Sequence, residues 1–253
     1  MTKTETRTKT TTDDRDVDDP EADLSALLDA HAAPRFWLHR HPVAAWRLLR
    51  LQRRLPRLDY RASATPDGRL MRFHLRRATH GRTTVLHRIS SVLDLQDGPG
   101  PNGTSRTKRR RALRAEVTWR PVEDAAERSA LIARAEATEQ AHPDETYRSD
   151  APDLAHLGDL SLWLLAEDAD GEPLLLSVTA VDGAFAMLGY FRRLRFDTLS
   201  SNTRFLMNHV LVEQLTARGV RYLCDSESPL RLTSGLRRFS RYVGFRLHRV
   251  HCP

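Results

Sequence analysis

The chain has 253 residues, 40% of them apolar and 29% charged, enough for the core of one large domain or two small ones. Its formal net charge is +7, and of its 40 Lys and Arg residues only Lys3, Lys9 and Lys108 are lysine. A GC-rich genome produces that skew by itself, while the basic excess attracts polyanions such as CoA, tRNA or a lipid surface. No run approaches the roughly 20 apolar residues of a membrane-spanning helix, and Cys224 and Cys252 form no CxxC pair, which leaves a Cys-based metal or redox motif without support.

Residues 1–22 open with Met1–Pro20, which holds one valine and no aromatic residue. Such a segment buries too little to offset its chain entropy and is predicted to be a disordered tail without the apolar run of a secretory signal. Asp23–Asp29 and Phe36–Leu55 are predicted helices. In the second, Trp37, His41, Ala44, Leu48, Leu51 and Leu55 share a face, and Arg47, Arg50, Arg53 and Arg54 lie largely off it. That pattern fits either an ordinary surface helix or one lying on a membrane. Leu58–Ala64, Arg69–Ala78 and Thr83–Leu95 alternate and are predicted as strands of an antiparallel meander, with turns at Asp67–Gly68 and His80–Gly81.

Asp97–Thr104 (DGPGPNGT) is a Gly/Pro loop and sets the internal boundary, giving an N-terminal unit of residues 23–103 and a second of residues 104–253. Ser105–Ala115 is a basic run entering a helix. Its Arg106–Arg114 portion reads either as a nucleic-acid contact or as a solvated helix face. Val117–Pro121 is a predicted strand, and Glu123–Ala141 a helix with an alanine-rich stripe and Asp124 at its start. Ala141–Asp153 is a polar loop.

The last hundred residues are the most regular. Strands are predicted at Ser161–Glu167, Leu174–Val181 and Phe185–Phe191, with Asp170–Gly171 and Asp182–Gly183 as turns. A helix begins after Ser200–Ser201 and stops at Gly219. Tyr222–Cys224 is a short strand, Leu236–Tyr242 a short helix cut by Gly244, and Phe245–Val250 a last strand. A long helix between two strands requires a crossover and makes that pair parallel. The fold class is therefore α/β of the α+β kind: a mixed, mostly antiparallel sheet with flanking helices and one crossover helix.

This order resembles the GNAT acyltransferase fold, and more narrowly its FemABX-type branch. The resemblance covers about Thr104–Val250. It is carried by Lys108–Arg111 leading to Glu116–Val117 and Val122–Asp124; by Leu164–Ala166, Asp170–Leu174 and Leu188–Phe191; and by Gly219–Leu223, Leu236–Phe239 and Val243–Phe245. The first-half meander is too short for a second complete unit and reads as a degenerate one. The resemblance implies an acyl-CoA or an aminoacyl-tRNA as donor, an amine as acceptor, no metal, and a bacterial, cytoplasmic protein. It places the donor phosphates where the strand of Tyr190–Phe191 runs toward the crossover helix.

Ser200, Ser201, Asn202 and Thr203 are cap-forming residues, and Arg192, Arg193, Arg195 and Arg204 bracket them with positive charge. A helix N-terminus has spare N–H donors and a positive dipole end. The family's Gly-rich phosphate motif is missing, since no glycine lies between Arg192 and Arg204. Asp225 and Glu227, at the next strand end, are candidates for taking the amine proton, with Tyr190 on the facing strand as a candidate acid. Glu136, Glu139 and His142 are candidates for an acceptor cleft. Ser226 lacks the Gly-x-Ser-x-Gly frame of a hydrolase nucleophile. The remaining expectation, of different class, is a non-catalytic module of this fold that binds nucleic acid or a protein partner.

Overall fold

A computed structural model describes residues 42–77, 89–98, 103–229 and 232–253, together with Ala26. The expected tail and the expected helix at Asp23–Asp29 lie outside these residues, Ala26 apart. The described helices are α1 (Pro42–Arg54), α2 (Pro66–Arg77), α3 (Gly103–Arg114), α4 (Ala125–Gln140), α5 (Thr198–Ala217) and α6 (Ser234–Tyr242). The strands are β1 (Arg57–Asp59), β2 (Ile89–Asp94), β3 (Thr118–Pro121), β4 (Leu162–Glu167), β5 (Pro173–Asp182), β6 (Phe185–Arg193), β7 (Tyr222–Asp225) and β8 (Arg246–His251).

All eight strands form one sheet in the order β1-β8-β2-β7-β6-β5-β4-β3. From β3 to β6 each strand is antiparallel to the next, the last two pairs being hairpins that turn at Gly171 and Gly183. Both glycines have positive φ, which side chains beyond Gly adopt rarely. The chain then crosses through α5, and β7 pairs with β6 in parallel. Strand β2 is antiparallel to both β7 and β8 and so separates them. The sheet is mixed and mostly antiparallel, with hairpins followed by one helical crossover.

The expected meander is corrected. Arg69–Ala78 is not a strand, because Pro66–Arg77 is helical. Thr65 accepts the Gly68 N–H on its hydroxyl at 3.1 Å, Pro66 opens the helix and Asp67 lies in its first turn. These are start signals for a helix, and they outweigh the turn signal of Asp67–Gly68. Of the other two expected strands, Arg57–Asp59 and Ile89–Asp94 are found. They do not touch each other, because β8 lies between them.

Each face of the sheet carries a core. Alternation along β4 sends Leu162, Leu164 and Ala166 to one side, where Leu206, Met207, Val210 and Leu211 of α5 and Ala112 of α3 meet them. Trp163 and Leu165 go to the other, with Leu131 and Ala135 of α4 and Met71 and Leu75 of α2. Asp67 ties α2 to the sheet: its Oδ1 accepts the Val181 N–H at 3.0 Å, the Ser161 N–H at 3.2 Å and the Ser161 hydroxyl at 3.3 Å. Asp182 likewise accepts the Tyr60 hydroxyl at 2.5 Å and the Ser63 N–H at 2.9 Å. No helix among the described residues is long and apolar enough to cross a membrane.

Candidate active site

The parallel pair β6/β7 is short. It runs from Phe185↔Tyr222 to Leu188↔Asp225 and stops there. Strand β6 continues to Arg193 with only β5 beside it. Where the two part, the β5 register passes from Thr179↔Leu188 to Val178↔Tyr190, leaving Gly189 as an extra residue. Such a bulge bends its strand and increases the local twist, which turns β6 away from β7. Gly189 sits in close quarters: a Cβ there would meet Leu160 Cδ1 at 3.0 Å, Leu157 Cδ2 at 3.3 Å and the Val178 carbonyl at 3.3 Å. The result is an opening at the carboxyl ends of two strands, beside the crossover, where sheets of this kind place ligands.

Asp225 ends β7 at this opening. Burial pushes its carboxyl up to about 6, and the nearby Glu227 charge adds to the rise. The Glu227 N–H, donated to Asp225 Oδ1 at 3.0 Å, opposes it, as do the charges of Arg204 and Arg192. A carboxylate so poised takes a proton near neutral pH. Glu227 itself is exposed.

Arg204 comes from the second turn of α5. Its Cζ lies 4.1 Å from the Phe239 ring centroid, and its Nε is buried without a hydrogen-bond partner. Burial pushes this guanidinium down to about 10, and Arg193 and Arg192 push in the same direction. Arg192 pairs with Glu139 of α4 at 3.2 Å. The arm that follows α4 folds toward α6: the Tyr147 hydroxyl lies 2.6 Å from Thr233 Oγ1, the α6 cap, and His142 packs edge-on against Phe196 at 4.5 Å.

Tyr190 is not beside Asp225. Its side chain belongs to the core under α4, whereas alternation along β7 puts Asp225 on the α5 side with Leu223. Its hydroxyl is buried and unpartnered, and burial, followed by the Glu139 charge, raises its pKa. Tyr190 and Asp225 thus face opposite sides of the sheet.

The start of α5 differs from expectation. Asp197 is the N-cap, and the helix begins at Thr198, ahead of Ser200–Ser201. Asp197 accepts the Ser200 N–H at 2.6 Å, while Ser200 Oγ donates to the carbonyls of Arg195 at 2.7 Å and Asp197 at 3.0 Å. Thr203 Oγ1 donates to the Leu199 carbonyl at 2.9 Å. Ser200, Asn202 and Thr203 are buried, and Ser201 is half-buried in the helix body. The Asp197 carboxylate already occupies the dipole end that a phosphate would use, and Arg195 is bound to Asp197 at 2.7 Å and Asp168 at 2.6 Å. Of the arginines bracketing this stretch, Arg195 serves the cap and Arg192 is paired with Glu139, while Arg193 and Arg204 make no ion pair among the described residues.

Among the acceptor-cleft candidates, Glu139 reaches Arg192, while Glu136 accepts the Leu154 N–H at 2.9 Å. Tyr147 and Phe239 lie beside the candidate residues, and sequence reasoning did not single them out. Their place depends on contacts 86 residues apart in the first case and on packing between α5 and α6 in the second. No group of three or more metal-ligating side chains occurs among the described residues.

No family model matches the chain, and no curated protein matches it. Solved structures resemble it at low identity. L-PGS from Bacillus licheniformis matches 63% of this chain and 57% of its own, with a TM-score of 0.47 and 14% identity. The C-terminal domain of a putative lysylphosphatidylglycerol synthetase from Agrobacterium fabrum matches 63% and 58%, with a TM-score of 0.44 and 14% identity. A GCN5-related glucosamine N-acetyltransferase region of a fungal multi-domain β-N-acetylglucosaminidase matches 63% and 20%, with a TM-score of 0.38 and 14% identity. The chain thus spans less than two thirds of the length of these structures.

Proposed function

We propose that the protein transfers an acyl or aminoacyl group from a CoA thioester or a charged tRNA to an amine acceptor, in the opening between β6 and β7. The observation that carries this reading is the end of the parallel pair at Leu188↔Asp225, which leaves Asp225, whose carboxyl is pushed up to about 6, at the end of β7, with Arg192 and Arg193 at the end of β6. Asp225 takes the proton released as the amine attacks the donor carbonyl carbon. The C–N bond forms, the C–S or C–O bond breaks, and the leaving thiolate or alkoxide takes a proton from water. Glu227 holds Asp225 through its backbone N–H. Arg193 and Arg204 meet the donor's negative charge at the strand parting, rather than at the capped end of α5.

Within the superfamily we place the chain nearer the FemABX-like branch, because the segment from Arg192 to Arg204 has no glycine to admit phosphate to its backbone. The test is a transfer assay with acetyl-CoA, longer acyl-CoAs and charged tRNA against a panel of amines. Turnover that Asp225→Asn abolishes supports the reading. Absence of both turnover and donor binding at millimolar concentration refutes it.

One observation favours a second reading. Arg106, Arg110, Arg111 and Arg114 are all exposed on α3, which has no acidic residue. A module that binds nucleic acid through this face would show mobility shifts that weaken steeply with salt and no dependence on an acyl donor.

A further inference from the structure

Three arginines converge on the opening, but they are not in the same electrostatic state. Arg192 is neutralised by Glu139 at 3.2 Å. Arg193 has only a ring contact, its Cζ 5.6 Å from the Phe196 centroid, and Arg204 only its Phe239 contact at 4.1 Å. Neither makes an ion pair among the described residues. Arg204 is the deeper of the two, with a buried Nε that donates to nothing. Its charged neighbours are Arg193, Arg192 and Asp225, so one carboxyl faces more than one guanidinium.

Arg204 is half-buried, and the one buried donor it leaves unsatisfied, its Nε, requires a reason in a native fold. Packing does not supply it. A leucine or methionine against Phe239 would pack there without leaving a donor unmade. The guanidinium lies against the Phe239 ring, its Cζ 4.1 Å from the centroid, and its terminal N–H groups form a fork that suits two oxygens. Asp225 lies close enough for the two charges to act on each other.

We propose that Arg204 is the floor of an oxyanion subsite, which takes a carboxylate or phosphate group of a ligand whose amine or carbonyl lies at Asp225. The subsite deepens the transferase reading and rests on it for the role of Asp225, whereas the anion binding itself does not. Two ligands of that reading carry the required chemistry. One is an acceptor bearing an acid group near its amine, as in an amino acid. The other is a phosphate of the donor. Arg204 serves either by donating two N–H groups of its fork to two oxygens, with Arg193 adding charge from the rim.

The test is isothermal titration of the full chain at fixed ionic strength with inorganic phosphate, glycine, methylamine and coenzyme A. Phosphate or glycine binds, and Arg204→Met weakens that binding roughly 10- to 100-fold, the loss of a charge-assisted hydrogen-bonded pair. Arg204→Lys retains part of it, and methylamine does not bind in its place. Displacement of phosphate by glycine assigns the subsite to the acceptor, and displacement by coenzyme A assigns it to the donor. Thermal unfolding of Arg204→Met checks the fold, and Arg204→Lys carries the test should that variant unfold. Wild-type protein that binds neither phosphate nor glycine overturns the subsite, as does an Arg204→Met variant that binds them equally well. The two readings fail separately. Arg204-dependent phosphate binding without turnover on any donor removes the transferase and keeps the subsite. Turnover and binding that are indifferent to Arg204 do the reverse.

Discussion

Asp225→Asn separates a catalytic carboxylate from a structural one, and its effect on stability has a sign that can be worked out in advance. The carboxyl is raised from the usual 3.8 to about 6 in the folded chain. A carboxyl raised by folding favours the native state while it is protonated in both states, below about pH 4. That contribution is lost as pH climbs through about 6, where the native carboxyl is forced to ionise in its buried setting. At 1.36 kcal/mol per pH unit the loss is about 3 kcal/mol by pH 8. Asparagine keeps the shape and never ionises, so the variant escapes this loss. The chain also holds carboxylates of opposite sign: the Arg57 hydrogen bond lowers Asp59, and the Glu172 N–H lowers Asp168. Their contribution falls away in acid and is common to both proteins, so the informative quantity is the difference between variant and wild type.

Urea unfolding at half-unit steps from pH 4 to pH 8 measures that difference. Asp225→Asn is expected to match wild type near pH 4 and to exceed it by about 2–3 kcal/mol at pH 8, with most of the gain between pH 4 and pH 6.5. Transfer activity should move the other way, falling roughly 10²- to 10⁴-fold. The wild-type rate should rise through an apparent pKa near 6. A stability difference that is flat with pH, or one that grows more negative as pH rises, refutes the reasoning, because Asp225 would then be a paired structural acid.

Gly189→Ala places a methyl group 3.0 Å from Leu160 Cδ1 and 3.3 Å from the Val178 carbonyl; overpacking of about 1–3 kcal/mol is expected in chemical denaturation, with disturbed ligand binding at the strand parting. Asp67→Ala removes the acceptor of two backbone N–H groups, those of Ser161 and Val181. Its cost of about 2–4 kcal/mol should appear as a lower urea midpoint and faster amide exchange at Val181. Asp197→Ala deletes the α5 cap and leaves Arg195 with Asp168 alone, which should lower stability by about 1–2 kcal/mol in thermal unfolding. A rise in stability on adding phosphate to this variant, absent from wild type, would show the vacated helix end accepting an anion.

The hairpins β4–β5 and β5–β6 were legible because a strand's period of two and the glycines Gly171 and Gly183 are local signals. The crossover helix was legible because its 20 residues stay periodic and Gly219 ends it. The helix α2 was misread, although Thr65-Pro66-Asp67 carries the correct start signals, because the same residues also make a turn. The cap of α5 was placed too late for a similar reason: Ser200 and Ser201 look like caps, and only the backbone path shows that Asp197 arrives first. Asp225, Arg204, Arg192 and Glu139 were named from residue type and position at element ends. Their relationships were not legible, since Glu139 reaches Arg192 across 53 positions of chain.

Composition, turn residues and periodicity by themselves determined the strand and helix order of the last hundred residues and the surplus of positive charge. They act within a few residues, where the chain's own geometry is the only constraint. The tertiary structure alone decided that β2 would separate β7 from β8, that Tyr190 and Asp225 would face opposite sides of the sheet, and that one half-buried guanidinium would lie against an aromatic ring with its Nε unpaired. These follow from which distant surfaces exclude water together, a competition that no short stretch of sequence encodes.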